Sequence, residues 1–278
     1  MGYLLLAIAS SAMVAVIMRL STDRIKGNAS MLALNYLMCA ALGGAYALHG
    51  QGLAAGSGAG AALGMGAFNG ALYLGSFMLM QWNTKNSGVV LTNVFMKLGL
   101  LVPMAVSVAV FGERAQVQQI VGFLIAIGAI FLINMEPRGE KMRFNWALAA
   151  LLLAGGSADA MSKVFEQTGA AQYADLFLFC TFAAALLLCV ALAAAKKEKP
   201  GLAEIGFGLL IGIPNFFSSK FLLLSLGSVP AVIAYPTYSV ATLMTVTLAG
   251  VCFFKEKLGK RQWIALGVIL VALVLLNI

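Results

Sequence analysis

A few ionisable side chains lie where so apolar a chain has least reason to keep them. Lys97 falls near the middle of the apolar run 87–110, in Asn93-Val94-Phe95-Met96-Lys97. A charge at the centre of a bilayer costs at least about 2.5–3.5 kcal/mol on insertion scales, so this lysine must face a partner or a wet cavity. Asn93 lies one helical turn earlier on the same face. Asp159 and Lys163, four residues apart in the run 145–166, also share a face. Either they neutralise each other, or Asp159 pairs with Lys97 and leaves Lys163 for a substrate. A carboxylate buried in this way can also carry a coupling proton. Lys220 follows Asn215 and Ser219 in the run 202–225. For Lys163 and Lys220, snorkelling of a long stem toward a membrane face is the alternative to binding.

Polar stripes accompany these charges. In the run 229–252, Tyr235, Tyr238 with Ser239, Thr242 and Thr245 recur at helical spacing, which gives an apolar helix one polar face. Pro236 lacks an amide donor and so frees a carbonyl one turn earlier. In a membrane that carbonyl needs another partner, which a cavity or a substrate supplies. Asn69, Tyr73 and Ser76 form a weaker stripe in the run 58–82. Bonding between helices is the alternative reading of both stripes. Counting Lys97, Lys163 and Lys220 against Asp159 leaves a positive surplus within the runs, and such a surplus in a low-dielectric cavity attracts an anion. The expected substrate is therefore a small, anionic organic molecule. Lys97 and Lys220 would hold its charged group, Tyr235, Tyr238 and Asn93 would orient the rest, and Asp159 would be counter-charge or proton site.

Catalysis has little support. There is no Ser/His/Asp arrangement, no phosphate-binding glycine loop and no metal-ligand spacing. The single histidine, His49, stands beside Gly50, and Cys39, Cys180, Cys189 and Cys252 all lie in apolar runs and read as buried thiols. No catalytic residue, metal or cofactor is expected.

The chain that must position these residues has 278 of them, 62% hydrophobic and 10% charged, with mean hydropathy +0.95. A soluble domain carries about 25% charged residues. Lipid is the solvent that so much apolar surface requires. The net charge of +8 is spread over short loops and forms no stripe, which favours a membrane surface over nucleic acid. The first residues, Met1-Gly2-Tyr3-Leu4, lack the charged start of a signal peptide. A helix needs about 20 apolar residues to span the hydrocarbon core. Ten such runs are present, at 2–20, 29–48, 58–82, 87–110, 116–134, 145–166, 173–194, 202–225, 229–252 and 261–277. Gly52, Gly56, Gly60 and Gly64 recur every fourth residue into the third run, a spacing that permits close helix packing.

The runs repeat. An offset of 143 carries Phe111 to Phe254, Glu113 to Glu256, Gln119 to Gln262 and Asn134 to Asn277 without a gap. Five runs per repeat is an odd number, so the second repeat enters the membrane inverted, the design that supports alternating access around a midplane site. The expected fold is an all-α multi-pass membrane protein of ten transmembrane helices in two inverted five-helix repeats. The first repeat occupies residues 1–135 and the second 145–278, with an inter-repeat loop at 136–144. Fourteen of the eighteen Lys and Arg residues fall in alternate loops on one side, against Arg114 on the other. The positive-inside rule then puts both termini outside the cytoplasm.

Phe111-Gly112-Glu113-Arg114 and Phe254-Lys255-Glu256-Lys257, with their glycine-bearing continuations, resemble the EamA-like branch of the drug/metabolite transporter superfamily. Tyr235-Pro236-Thr237-Tyr238-Ser239 is similar to that family's substrate-side helix. The resemblance covers essentially the whole chain. It implies a secondary carrier in the plasma membrane with a central cavity built from runs one, three, four, six, eight and nine. It also implies cytoplasmic termini, against the charge bias. The partners expected are a small-molecule substrate and membrane lipid, with no nucleic acid, in a monomer or a homodimer. Two alternatives stay open. One is an amino-acid or drug exporter in which Lys97 and Asp159 are structural. The other is a flippase for a polyprenyl-phosphate-linked substrate. Glu113 and Glu256 read as structural carboxylates at the positive starts of the fifth and tenth helices.

Overall fold

The computed structural model describes residues 1–21, 24–49, 56, 58–87, 89–134, 146–255 and 259–278. Among them the secondary structure is helical, with eleven α-helices. These are α1 (Gly2–Ser21), α2 (Asn28–His49), α3 (Ala59–Ser87), α4 (Val89–Leu98), α5 (Leu101–Ala109), α6 (Val117–Asn134), α7 (Trp146–Thr168), α8 (Ala174–Ala195), α9 (Leu202–Leu226), α10 (Ala231–Phe254) and α11 (Lys260–Asn277). Seven of the described helices are long and apolar enough to cross a membrane, and α6 and α11 are shorter apolar helices. The protein is an all-α multi-pass membrane protein.

Ten expected helices become eleven because the fourth run is broken. Pro103 has no N–H, and its ring would clash with the carbonyl four residues back, that of Gly99, in a continuous helix. The chain instead turns at Gly99-Leu100, with Gly99 N donating to Met96 O at 3.2 Å and Leu100 N to Lys97 O at 3.5 Å. Pro103 then sits in the first turn of α5, where a missing donor is tolerated.

The helices gather into two compact units. The first comprises Met1–Leu74 and Met161–Gly227, the second Gly75–Ala160 and Ser228–Ile278, so the division runs through α3 and α7. Each unit takes helices from both halves of the sequence. In the first unit α2 packs on α8 and α9, and α1 on α9. Small residues permit this. A Cβ on Gly66 would meet Cys180 Cβ at 2.7 Å, one on Gly70 would meet Ala184 Cβ at 2.6 Å, and Gly208 and Gly212 of α9 lie equally close to α2. The expectation that Gly60 and Gly64 serve this role is corrected, since a Cβ on either meets nothing within 4 Å. The packing pair is displaced along α3 to Gly66 and Gly70, the face turned toward α8.

In the second unit α6 packs along α11, and the offset of 143 maps the bounds of one helix onto the other. Their shared core contains Ala126, Ala129, Ile130, Ile269 and Ala272. Ala126 and Ile269 are equivalent under the offset, as are Ala129 and Ala272. Positions related by the offset therefore lie on the faces that α6 and α11 turn toward each other.

Candidate functional site

Lys97, in the last turn of α4, is half-buried in the second unit. Asp159 lies on α7, one turn beyond Gly156. A Cβ on Gly156 would come within 2.6 Å of Val102 Cγ2 and closer still to Gly99 O, so only glycine lets α7 meet the α4–α5 break. This contact brings Lys97 and Asp159 within electrostatic reach of each other. Among the described residues no direct ion-pair contact joins them, and the pair is open. The Tyr235 hydroxyl donates to the carbonyl oxygen of Asp159 at 2.7 Å and fixes this turn of α7 against α10. Tyr235 is only 2% exposed, so its hydroxyl is engaged by protein.

The start of α10 is held from the α5–α6 connection. Glu113 accepts from Ala231 N and Val232 N, both at 3.1 Å. The carboxylate was expected at the start of its own helix. It caps α10 instead, because α6 begins only at Val117, where Gln119 accepts from Gln116 N at 3.0 Å. Glu256 lies outside the described residues, as does the side chain of Asn93. Along α10, Tyr238 and Ser239 are half-buried, Thr245 donates back to Ala241 O at 2.8 Å, and the buried Thr242 hydroxyl has no partner. Ser107 Oγ on α5 and Asn83 Oδ1 on α3 are likewise buried without a partner.

The first unit holds the other expected residues, and its two in-helix lysines are each closed on a carboxylate. Lys163, 2% exposed, contacts Glu166 at 2.8 Å. A direct ion-pair partner of Lys163 is therefore one turn later on α7. Lys220 contacts Asp175 at 2.8 Å and lies 3.4 Å from the centre of the Tyr46 ring. Asn215 donates to Asn35 at 3.2 Å across α9 and α2, beside Cys39, whose thiol donates to Gly212 O at 3.2 Å. Tyr73 meets Tyr36 edge-on, with ring centres 6.4 Å apart, and Phe182 at 6.2 Å. Asn69, one turn before Tyr73 on α3, keeps a buried Oδ1 without a partner.

Glu166 and Asp175 alter the charge balance. With them the helical lysines Lys97, Lys163 and Lys220 face three acids, and the surplus counted from sequence disappears. Glu166 was visible in the sequence as an i+3 partner of Lys163. Asp175 and Tyr46 were not, since only tertiary packing brings them to Lys220. The cysteines are all free. Cys39 and Cys189 are buried, but Cys252 is exposed, a correction to the expected set of buried thiols. In a membrane helix the outward face is apolar too, so an apolar run does not distinguish buried from lipid-facing residues. Among the described residues no group of His, Cys, Asp and Glu could hold a metal ion.

Residues 144–278 match the EamA-like transporter family. The chain carries an EamA-like transporter domain. An uncharacterized protein of Haemophilus influenzae is 22% identical over 196 residues, spanning 68% of this chain and 67% of that protein. A solved crystal structure superposes with a TM-score of 0.76 at 16% identity, covering 100% of this chain and 98% of that one. That likeness shows a shared fold. With its apolar helices, the EamA-like match identifies a membrane transporter of the drug/metabolite type.

Proposed function

We propose that the protein is a secondary active carrier that moves a small organic metabolite by alternating access, with Lys97 and Asp159 as its central charges. The observation that carries this reading is the open pair. Two lysines of the first unit are closed on carboxylates at 2.8 Å, whereas Lys97 and Asp159 attract each other without touching. Such a gap receives a group that completes the circuit. A single anionic group on the substrate would bind Lys97, and Asp159 would take up a proton so that the occupied carrier crosses the membrane near neutrality. Asn93, Tyr238 and Ser239 would orient the remainder. Tyr235 would act through Asp159. The duplicated sequence favours two inverted repeats, and the charge bias favours a plasma-membrane protein with both termini outside. A reporter fused to the C-terminus that is active only in the cytoplasm should then stay silent.

A second reading follows from the same gap, which offers one charge of each sign. A dipolar substrate would place its anionic group on Lys97 and its cationic group on Asp159. One panel tests both. The purified protein is heated with organic acids, amino acids, sugar phosphates and nucleotides, because a binder raises apparent stability by mass action. Stabilisation by an acid that vanishes in Lys97→Ala but survives in Asp159→Asn supports the anion. Loss in both variants supports the dipolar substrate. Stabilisation unchanged in both removes the pair from the site.

A further inference from the structure

The α1–α2 and α8–α9 connections of the first unit meet, and they are rich in basic residues. Residues 22–30 and 196–204 hold Arg24, Lys26, Lys196, Lys197 and Lys199 against Asp23, Glu198 and Glu204. All five basic residues are exposed. The two glutamates are committed to backbone amides. Glu204, 5% exposed, accepts from Lys26 N at 2.6 Å and Gly27 N at 3.3 Å with one oxygen, and from Gly201 N at 3.0 Å with the other. Glu198 accepts from Ala29 N at 2.9 Å and Ser30 N at 3.1 Å. These bonds satisfy amides that a helix start leaves without partners. They also hold Lys26 against Gly201, and they set Lys197 and Lys199, on either side of Glu198, beside the start of α2. Arg24 reaches α9 as well, with its guanidinium 5.8 Å from the centre of the Phe207 ring. The acids thus serve the fold from within, and the basic side chains are left on the outer surface.

We propose that Arg24, Lys26, Lys197 and Lys199 form a headgroup site for a phospholipid of net negative charge. Basic residues beside a membrane helix attract anionic headgroups, each adding to the affinity. The acyl chains would follow the apolar start of α9, where Leu202 is 91% and Ile205 38% exposed. Charge complementarity selects the class. A zwitterionic lipid brings its own cation and gains little from four basic residues, and a free phosphate has no chains to lay on α9. Lys197 also has a conformational mark. It ends α8 at φ 54, with Lys197 N donating to Ala194 O at 3.0 Å and Glu198 N to Ala193 O at 2.9 Å, a turn in which glycine is the unstrained residue. That mark does not define the site, since Lys255 ends α10 of the second unit at the same φ. What distinguishes Lys197 is the second basic connection bonded beside it. The inference stands apart from the carrier reading and from Lys97 and Asp159.

The test follows thermal unfolding of the purified protein in an uncharged detergent at constant ionic strength. Phosphatidylglycerol, phosphatidylcholine or inorganic phosphate is added in turn. Phosphatidylglycerol alone should raise the wild-type midpoint, saturably and by about 3 °C at ten times the dissociation constant. Lys197→Gln/Lys199→Gln should need about 30-fold more of that lipid for the same rise. Lys255→Gln/Lys260→Gln removes the same charge from the α10–α11 connection and should respond as wild type does. Lys197→Gly guards against misfolding, because relief of the left-handed turn should raise the lipid-free midpoint while the lipid response weakens about 5-fold. A rise of equal size with phosphatidylcholine would overturn the proposal, as would a rise with inorganic phosphate alone. Equal losses in the two double variants, or none in Lys197→Gln/Lys199→Gln, would overturn it too. Transport does not enter the readout, so failure here leaves the carrier reading standing.

Discussion

The two units hold their charges in opposite ways. In the first, Lys163 and Lys220 touch Glu166 and Asp175, Asn215 reaches Asn35, and the Phe182 ring packs on Tyr36 of α2 and Phe216 of α9. In the second, the central lysine and carboxylate attract each other without an ion-pair contact, the span that carries the lysine is broken, and three of the four buried polar atoms without a partner among the described residues are found there. A polar group buried without a partner costs about 1–3 kcal/mol. A protein tolerates that cost in one region when something outside the chain is meant to complete it. The first unit is built to be finished by its own residues, and the second is built with places left over.

If that contrast is real, the close approach at the break is the most sensitive point in the second unit. Gly156→Ala drives a methyl group into Gly99 O and Val102, neither of which can yield as a flexible side-chain end does. Overpacking of this kind costs about 3 kcal/mol. Unfolding in detergent should show this loss, with transport reduced further, because the displaced turn carries Lys97 away from Asp159. Gly70→Ala in the first unit should cost a similar amount, since its methyl meets Thr181 O and Ala184. Its residual transport, once corrected for the amount folded, should stay near wild type. Equal transport defects in the two variants would erase the distinction between the units.

A closed pair should behave as structure. Lys220→Met leaves Asp175 without its cation. Because these side chains are 15% and 29% exposed, water screens part of the penalty, and a loss of about 1–2 kcal/mol is expected. Lys220→Met/Asp175→Asn should recover most of it. For the open pair, the corresponding double change at Lys97 and Asp159 should leave stability nearly intact and abolish transport. Recovery of transport there would make it a closed pair in function.

How much of this the sequence reveals depends on the kind of signal. The apolar runs are local, and they predict an all-helical membrane protein, with the fourth run broken in two in the structure. The break at Gly99-Leu100 was also legible, because Pro103 stands four residues after Gly99, but the apolar pattern runs across it without interruption. Lys97 and Asp159 stand out because charge in an apolar run is costly wherever it lies. Their openness, and the closure of Lys220 on Asp175, are properties of packing between distant segments, which composition does not encode. Tyr235 shows the same limit. Its place in a polar stripe is periodic and visible, yet the stripe does not say that its hydroxyl is bound to the backbone of Asp159.

Tyr235→Phe removes that one hydrogen bond while keeping the ring, and should cost about 1 kcal/mol with a several-fold fall in transport. A fall in stability alone would make Tyr235 a brace with no bearing on Asp159.

The smallest effect expected is one of sign, within a single helix. Gly64 and Gly66 stand two residues apart on α3. Gly66 is pressed against Phe177 O and Cys180, so Gly66→Ala should destabilise. Gly64 is exposed, with nothing within reach of an added methyl. Gly64→Ala therefore changes only the backbone's own preference, and a helix interior favours alanine over glycine by up to about 1 kcal/mol. Gly64→Ala should leave the midpoint unchanged or raise it slightly, while Gly66→Ala lowers it. If both lower it alike, the packing face of α3 is wider than the contacts with α8 indicate, and the four-residue glycine spacing seen in the sequence is itself the interface.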